Sequence, residues 1–401
     1  MEQDTAVKKT NSDGWNVVRT IAIVRAISIL GDELAIFALL LREKHNGGGA
    51  FAIAAIMAAG QLPLIFLAPL AGVVADRVPI RRLAPIVGAL QAGFAALLVV
   101  KAPLWISLVL IALIGAGQAF TAPSWSATLP EIAGKDFMPR AMSLIQALYS
   151  LAALGGPAVA GIMVSQLGYV TPLIFDALTF ALLALVPTFL TLPRHAREIS
   201  RRTKGDLWSG LQIVRDDPAI RALAILGFSL NVTLGVFNVA ELFFALNNLH
   251  ASTFIYGIVG STFAVGMLAG ALVNKRRDVG PAQVSTNAIV GIWLVSFGII
   301  LTAFSWHWVF LIPTAALAGV GASTANAFFG ALMLQIAPEN SRGRVVAAVQ
   351  GLSSAGQIIS LALGGVIVSV IDPRYAILIS GIACLVALVL FSPGVKRTAN
   401  Q

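Results

Sequence analysis

The sequence predicts an all-α membrane protein whose twelve spanning helices form two pseudo-symmetric bundles of six. Three observations predict it. Apolar residues make up 58% of the chain and charged residues 11%, against about 25% charged in an ordinary soluble domain. Apolar runs of membrane length recur from one end to the other. The landmarks of the first half then return, in the same order, in the second.

A helix needs about 20 mostly apolar residues to cross about 30 Å of hydrocarbon. Such runs are read at residues 17–41, 50–75, 83–101, 104–128, 140–166, 171–191, 219–246, 254–273, 284–304, 306–331, 344–369 and 374–391. Their many Gly and Ala residues suit close helix contact in lipid, where small side chains let backbones approach. Strands of a porin-like barrel would alternate apolar with polar residues, and these runs do not. The polar residues before Val17 read as a tail feeding the first span, with no small-residue cleavage site of a secretory signal. Residues 192–218 contain Pro193, a basic run from Arg194 to Lys204 and Asp216-Asp217-Pro218. They are read as a solvated linker between a bundle at 1–191 and a bundle at 219–401. Attraction of the basic run to anionic lipid is the alternative.

The net charge of +9 would suit a nucleic-acid partner, but its distribution points elsewhere. With the first tail inside, most Lys and Arg fall in cytoplasmic segments: Arg77, Arg81 and Arg82, the linker cluster, Lys275 to Arg277, and Lys396 with Arg397. That bias follows the positive-inside rule and places both termini in the cytoplasm. The basicity is thus an orientation signal, and no nucleic-acid partner is expected. Cys384 stands alone, so an intramolecular disulfide or thiolate metal site is ruled out. His45, His195, His250 and His307 are scattered, without metal-ligand spacing or a Ser/His/Asp set. Neither an enzyme nor a cofactor is expected.

The halves echo each other, as after an internal duplication. Gly270-Ala271-Leu272-Val273-Asn274-Lys275 repeats Gly72-Val73-Val74-Ala75-Asp76-Arg77, with Asn for Asp and Lys for Arg. Gly319-x-Gly321 answers Gly115-x-Gly117, and Pro338-Glu339 answers Pro130-Glu131. Ala362-Leu363-Gly364-Gly365 answers Ala153-Leu154-Gly155-Gly156. Proline is expected to end the fourth and tenth helices at Pro130 and Pro338.

The loop Gly72-x-x-x-Asp76-Arg77-x-x-x-Arg81-Arg82, set between two spans, resembles the cytoplasmic loop motif of the major facilitator superfamily of secondary transporters. The resemblance covers essentially the whole chain. Within that superfamily the chain is similar to the bacterial drug:proton antiporter branch that includes the enterobactin exporter. The residues are Arg25-x-x-Ser28-x-x-Gly31-Asp32, Ala122-Pro123-Ser124-Trp125 leading to Leu129-Pro130-Glu131, and Pro338-Glu339-x-x-Arg342-Gly343-Arg344. The fifth span adds the exporter-associated Gly156-Pro157-x-x-x-Gly161, with Ala160 where a second Gly is often found. The resemblance implies the major facilitator fold, with a central cavity between the bundles.

It also implies gating roles. Asp76 would sit at the N-terminus of a helix of the other half near Gly343 and Arg344, where the helix dipole favours an anion. Arg77, Arg81 and Arg82 would bind carboxylates or lipid phosphates, and Asn274-Lys275 would make the weaker counterpart. A plain orientation cluster is the alternative. Glu131 and Glu339 fall within reach of Arg140, Arg342 or Arg344, as paired struts worth about 0–1 kcal/mol each when exposed. Gly156, Pro157 and Gly161 belong to the same moving parts.

Charge inside the spans is the sharper signal, because ionisable residues there usually face a cavity or a partner. Arg25, Ser28 and Asp32 share one face of the first span, and Glu33 is turned about 100° away. Asp32 is the first choice for a proton carrier; a structural acid that caps a helix or pairs with Arg25 is the alternative. Asn231, Asn238 and Glu241 share a side of the seventh span, Glu241 being a second proton site or an outer-rim contact. Asp176 in the sixth span is a further candidate for coupling, or a packing acid. Gln118 and Asn326, beside the Gly-x-Gly landmarks, are candidate hydrogen-bonders to cargo; Phe328 and Phe329 are a candidate apolar wall, with lipid-facing packing the alternative.

The expectation is a monomeric, multi-pass exporter in a bacterial inner membrane. It would move small amphipathic molecules, drug-like or siderophore-like, by alternating access and proton antiport, with small molecules, protons and membrane lipids as partners. Transport of a lipid or siderophore without strict proton coupling is the alternative. A non-transporting sensor would need a soluble appendage that the short tails and linker do not supply.

Overall fold

The computed structural model describes residues 2–134, 138–190, 211–275, 281–337 and 341–398. Among these residues every regular element is helical. In the first half the helices are α1 (Glu2–His45), α2 (Ala50–Phe66), α3 (Ala68–Arg77), α4 (Ile80–Leu98), α5 (Leu104–Ala133), α6 (Met138–Leu167) and α7 (Val170–Phe189). In the second they are α8 (Pro218–Phe243), α9 (Thr253–Lys275), α10 (Pro281–Ala303), α11 (Leu311–Ile336), α12 (Arg342–Val370) and α13 (Pro373–Thr398). A π-helical turn, Phe244–Asn248, extends α8, and a 3₁₀ turn, Trp308–Phe310, leads into α11. The expected twelve spans are met once α2 and α3 are taken as one broken crossing.

Eight of the described helices are long and apolar enough to cross a membrane by length and composition. The departures have local causes. α1 carries Arg25, Asp32 and Glu33 within its span and starts at Glu2, so the expected tail is itself helical. The second crossing is interrupted at Leu67. Pro69 stands in the first turn of α3, where a missing N–H costs no hydrogen bond. Contrary to the sequence expectation, α5 does not end at Pro130 but runs on to Ala133. Pro338 lies outside the described residues, and α11 stops at Ile336. α8 opens on a strong start signal: Asp217 accepts from Ala219 N at 2.8 Å and Ile220 N at 3.2 Å, with Pro218 next.

The chain divides into two compact units, residues 1–43 with 56–201, and residues 44–55 with 202–401. Each repeats the same set of neighbours. In the first unit α4 packs on α7 and α5, α3 packs on α5, and α1 touches α6 and α7. In the second α10 packs on α13 and α11, α9 packs on α11, and α8 lies against α12 and α13.

The repeated glycines explain the match. A Cβ on Gly115 would run into the Gly60 backbone of α2, and one on Gly117 into the Gln91 amide of α4. A Cβ on Gly319 would run into the Phe263 backbone of α9, and one on Gly321 into Gly291 and Val295 of α10. The first glycine of each pair therefore seats the second crossing of its half, and the second glycine seats the third. In lipid there is no hydrophobic force between helices, so such close approach is what holds the bundle. Around it in the second unit lies a dry core of Ile220, Leu223, Leu226, Ile292, Phe328 and Leu332. Phe328, expected as a cavity wall, belongs to that core.

Candidate functional site

The first unit encloses a pocket of about 210 Å³ whose walls come from α1, α2, α4, α5 and α7. Arg25, Ser28 and Asp32 line it from α1; steps of three and four residues put them on one helical face. Gln118 faces them from α5 and Gln91 from α4. The Asp32 carboxylate accepts from Gln118 Nε2 at 2.7 Å, a charge-assisted hydrogen bond of the short kind. Gln91 is 4% exposed and its Nε2 donates to the Ile114 carbonyl at 2.9 Å. Gly117 leaves the room for it.

Arg25 does not pair with Asp32. Seven residues of helix place them about 10 Å apart along the axis. The Arg25 guanidinium instead lies 5.9 Å from the Trp125 ring centroid and 5.7 Å from that of Tyr149, within cation–π range. Among the described residues no carboxylate pairs with it.

Two further acids surround Asp32. Asp176 on α7 is 3% exposed; a Cβ on Gly31 would come within 2.8 Å of its Oδ1. Its hydrogen bond from Thr179 Oγ1 is long at 3.5 Å, because that hydroxyl sits 2.8 Å from the Asp176 carbonyl. Glu33 turns to α6, its Cβ 2.8 Å from where a Cβ of Gly156 would lie. Glu33 and Asp176 both lie within electrostatic reach of Asp32. Pro157 follows inside α6 without ending it, and Gly161 is buried.

The second unit is differently equipped. Glu241 lies two residues before the end of α8, within electrostatic reach of Tyr256 of α9. Asn231 donates back to its own helix, to the Gly227 carbonyl at 2.9 Å. Asn238 and Asn326 are exposed. Asn274 Nδ2 donates to Thr324 Oγ1 of α11 at 3.3 Å.

Of the loop residues, Arg77, Arg81 and Arg82 are exposed. The surroundings of Gly72, the side chains of Asp76, Glu131, Arg140, Lys275, Arg342 and Arg344, and all of Glu339 lie outside the described residues. The sequence reading missed Gln91 and Tyr149. Gln91 had a visible signal, an amide in the middle of the third apolar run; Tyr149 had none. Among the described residues no group of His, Cys, Asp or Glu could hold a metal ion.

Comparison with known proteins places this architecture. The Major Facilitator Superfamily model matches residues 21–312 and again 288–400. The chain is 25% identical to the multidrug efflux pump Tap of Mycolicibacterium fortuitum, over 84% of this chain and 85% of that one. It is 20% identical to macrolide efflux protein A of Streptococcus pyogenes, over 63% of this chain and 65% of that one. Among solved structures, the nucleoside transporter NupG superposes with a TM-score of 0.79 at 15% identity, covering 94% of this chain and 99% of its own. A bacterial homologue of the human lysosomal transporter Spinster gives 0.75 at 11% identity, covering 96% of this chain and 97% of its own. At these identities the structural likeness speaks for the fold alone, while the family match spans nearly the whole sequence. The chain belongs to the Major Facilitator Superfamily of membrane transporters.

Proposed function

We propose that the protein exports small amphipathic molecules across a bacterial inner membrane by proton antiport with alternating access. The observation that carries this reading is the pocket of the first unit, where Asp32 meets Gln118 at 2.7 Å between membrane-length helices. A carboxylate is kept at such a depth only where it has a partner or a water-filled space. The named activities of the two efflux relatives support the export direction.

Protonation of Asp32 neutralises the pocket and frees cargo outward; loss of the proton on the inner side restores the charge for the next cargo. Asp176 and Glu33 lie near enough for one proton's position to bias the others. Glu241 is the candidate of the second half. Alternating access rocks one unit against the other, with Asp76, Arg77, Arg81 and Arg82 making and breaking the inner contact. Both termini are cytoplasmic and the working unit is a monomer in contact with lipid.

The test is dye transport in proteoliposomes of purified protein under an imposed pH gradient. Transport driven by the gradient, and lost in Asp32→Asn, supports antiport. Transport indifferent both to the gradient and to Asp32→Asn and Glu241→Gln overturns it.

A further inference from the structure

Resting on the export reading, the pocket allows its cargo to be narrowed. It holds one cation and one anion that do not neutralise each other. Arg25 is flanked by Trp125 and Tyr149 rather than by an acid, so its five N–H donors have no carboxylate among the described residues. Asp32 sits about 10 Å away along the same helix and is already held by Gln118. Gln118 and Gln91 each donate one amide N–H, to Asp32 and to the Ile114 carbonyl, and each amide also has an oxygen that can accept. One end of the pocket thus offers donors beside a flat aromatic face. The other offers the Asp32 carboxylate beside two amides.

A cavity of about 210 Å³ lies between these two ends. It has room for a small planar ring system. A purely lipophilic cation would satisfy Asp32 and leave Arg25 unpaired, a poor use of a guanidinium placed in a membrane span.

We propose that this pocket is a head-group subsite for planar zwitterions, with Arg25 taking the acidic group, Trp125 the ring and Asp32 the basic nitrogen. Guanidinium matches carboxylate in a forked geometry and stacks on aromatic planes at the same time. Lysine does the first poorly and the second less well. Selectivity for the acid end therefore belongs to Arg25 and not to Asp32.

The test uses the purified full-length protein and two probes of equal ring system, norfloxacin and its ethyl ester, with binding read by fluorescence anisotropy. The acid binds wild type at least about tenfold more tightly than the ester, as one charge-assisted pair supplies. Arg25→Gln weakens the acid to the level of the ester and leaves the ester unchanged; Arg25→Lys recovers part of the preference. A lysophosphatidylcholine, zwitterionic but without a ring, does not displace the acid. The subsite is overturned if wild type binds acid and ester alike, binds neither, or yields the acid to lysolipid. It also falls if Arg25→Gln lowers both probes equally. The antiport reading fails separately: acid preference in binding without any gradient-driven transport keeps the subsite and removes the coupling. Gradient-driven export of acid and ester alike, both untouched by Arg25→Gln, does the reverse.

Discussion

The two halves of the molecule agree in how their helices touch and differ in what they carry between them. Gly115 and Gly117 do for α2, α4 and α5 what Gly319 and Gly321 do for α9, α10 and α11. Yet the polar residues among those helices are not alike. The first unit gathers Arg25, Asp32, Gln91 and Gln118 around one pocket, and buries Asp176 against Gly31. The second buries Thr233, Ser296 and Ser360, small neutral groups whose hydroxyls donate to helix carbonyls. The contrast teaches that packing and chemistry diverge at different rates after a duplication. A glycine under a backbone crossing has no substitute, whereas a polar side chain in a pocket does.

The largest effect expected tests the shared part. Valine at Gly115 or at Gly319 places a branched side chain where the partner helix has its main chain. Backbone cannot give way as a flexible side chain can, so the cost exceeds the about 1–3 kcal/mol of ordinary overpacking. Both variants are expected to lose the monodisperse protein peak in detergent, to similar degrees. A well-folded Gly319→Val beside a collapsed Gly115→Val would break the equivalence of the halves.

The next tests the difference. Asp32→Asn keeps a partner for Gln118 but cannot carry a proton, and gradient-driven transport should fall to background while the protein stays folded. Glu241→Gln, at the end of α8 beside Tyr256, should slow transport without abolishing its response to the gradient. The reverse ranking would move the coupling site to the second half.

These outcomes also measure how much of the site was legible beforehand. Arg25, Ser28 and Asp32 could be read as one helical face because their spacing is local. Gln118 could be named because a polar residue beside a Gly-x-Gly landmark stands out in an apolar run. That the two would meet was not readable, since residues 32 and 118 come together through the packing of α1 on α5. Gln91 was overlooked, although it answers the question of what Gly117 makes room for. The aromatic flank of Arg25 joins Trp125 of α5 to Tyr149 of α6, residues brought together only by packing. The break at Leu67 and the passage of α5 beyond Pro130 had the same origin: proline restricts its own turn, and tertiary packing decides whether the helix resumes.

A smaller effect is expected at Gln91. Gln91→Leu is close in volume and removes a buried amide whose donor is satisfied by the Ile114 carbonyl. Losing that bond should cost about 1 kcal/mol, seen as a modest fall in melting temperature. Norfloxacin binding should weaken more clearly, because the pocket loses one polar wall. Unchanged binding would place Gln91 in the packing alone, with Gly117 as its seat.

The smallest effect concerns the one place where the repeat changes an acid to an amide, Asp76 against Asn274. Thr324 is 6% exposed, and its hydroxyl proton is committed to the Val320 carbonyl at 2.9 Å. What Thr324 offers Asn274 is therefore a lone pair, and a lone pair needs a donor. The Asn274 amide supplies one at 3.3 Å; a carboxylate would not, and would face oxygen with oxygen. Asn274→Ala should cost less than about 1 kcal/mol, the worth of a long neutral hydrogen bond. Asn274→Asp should cost more than alanine does, and the double change Asn274→Asp with Thr324→Ala should recover part of the loss in thermal unfolding. If Asn274→Asp is instead as stable as wild type, the amide of the second half owes nothing to Thr324, and the local account of the repeat's altered loop is wrong.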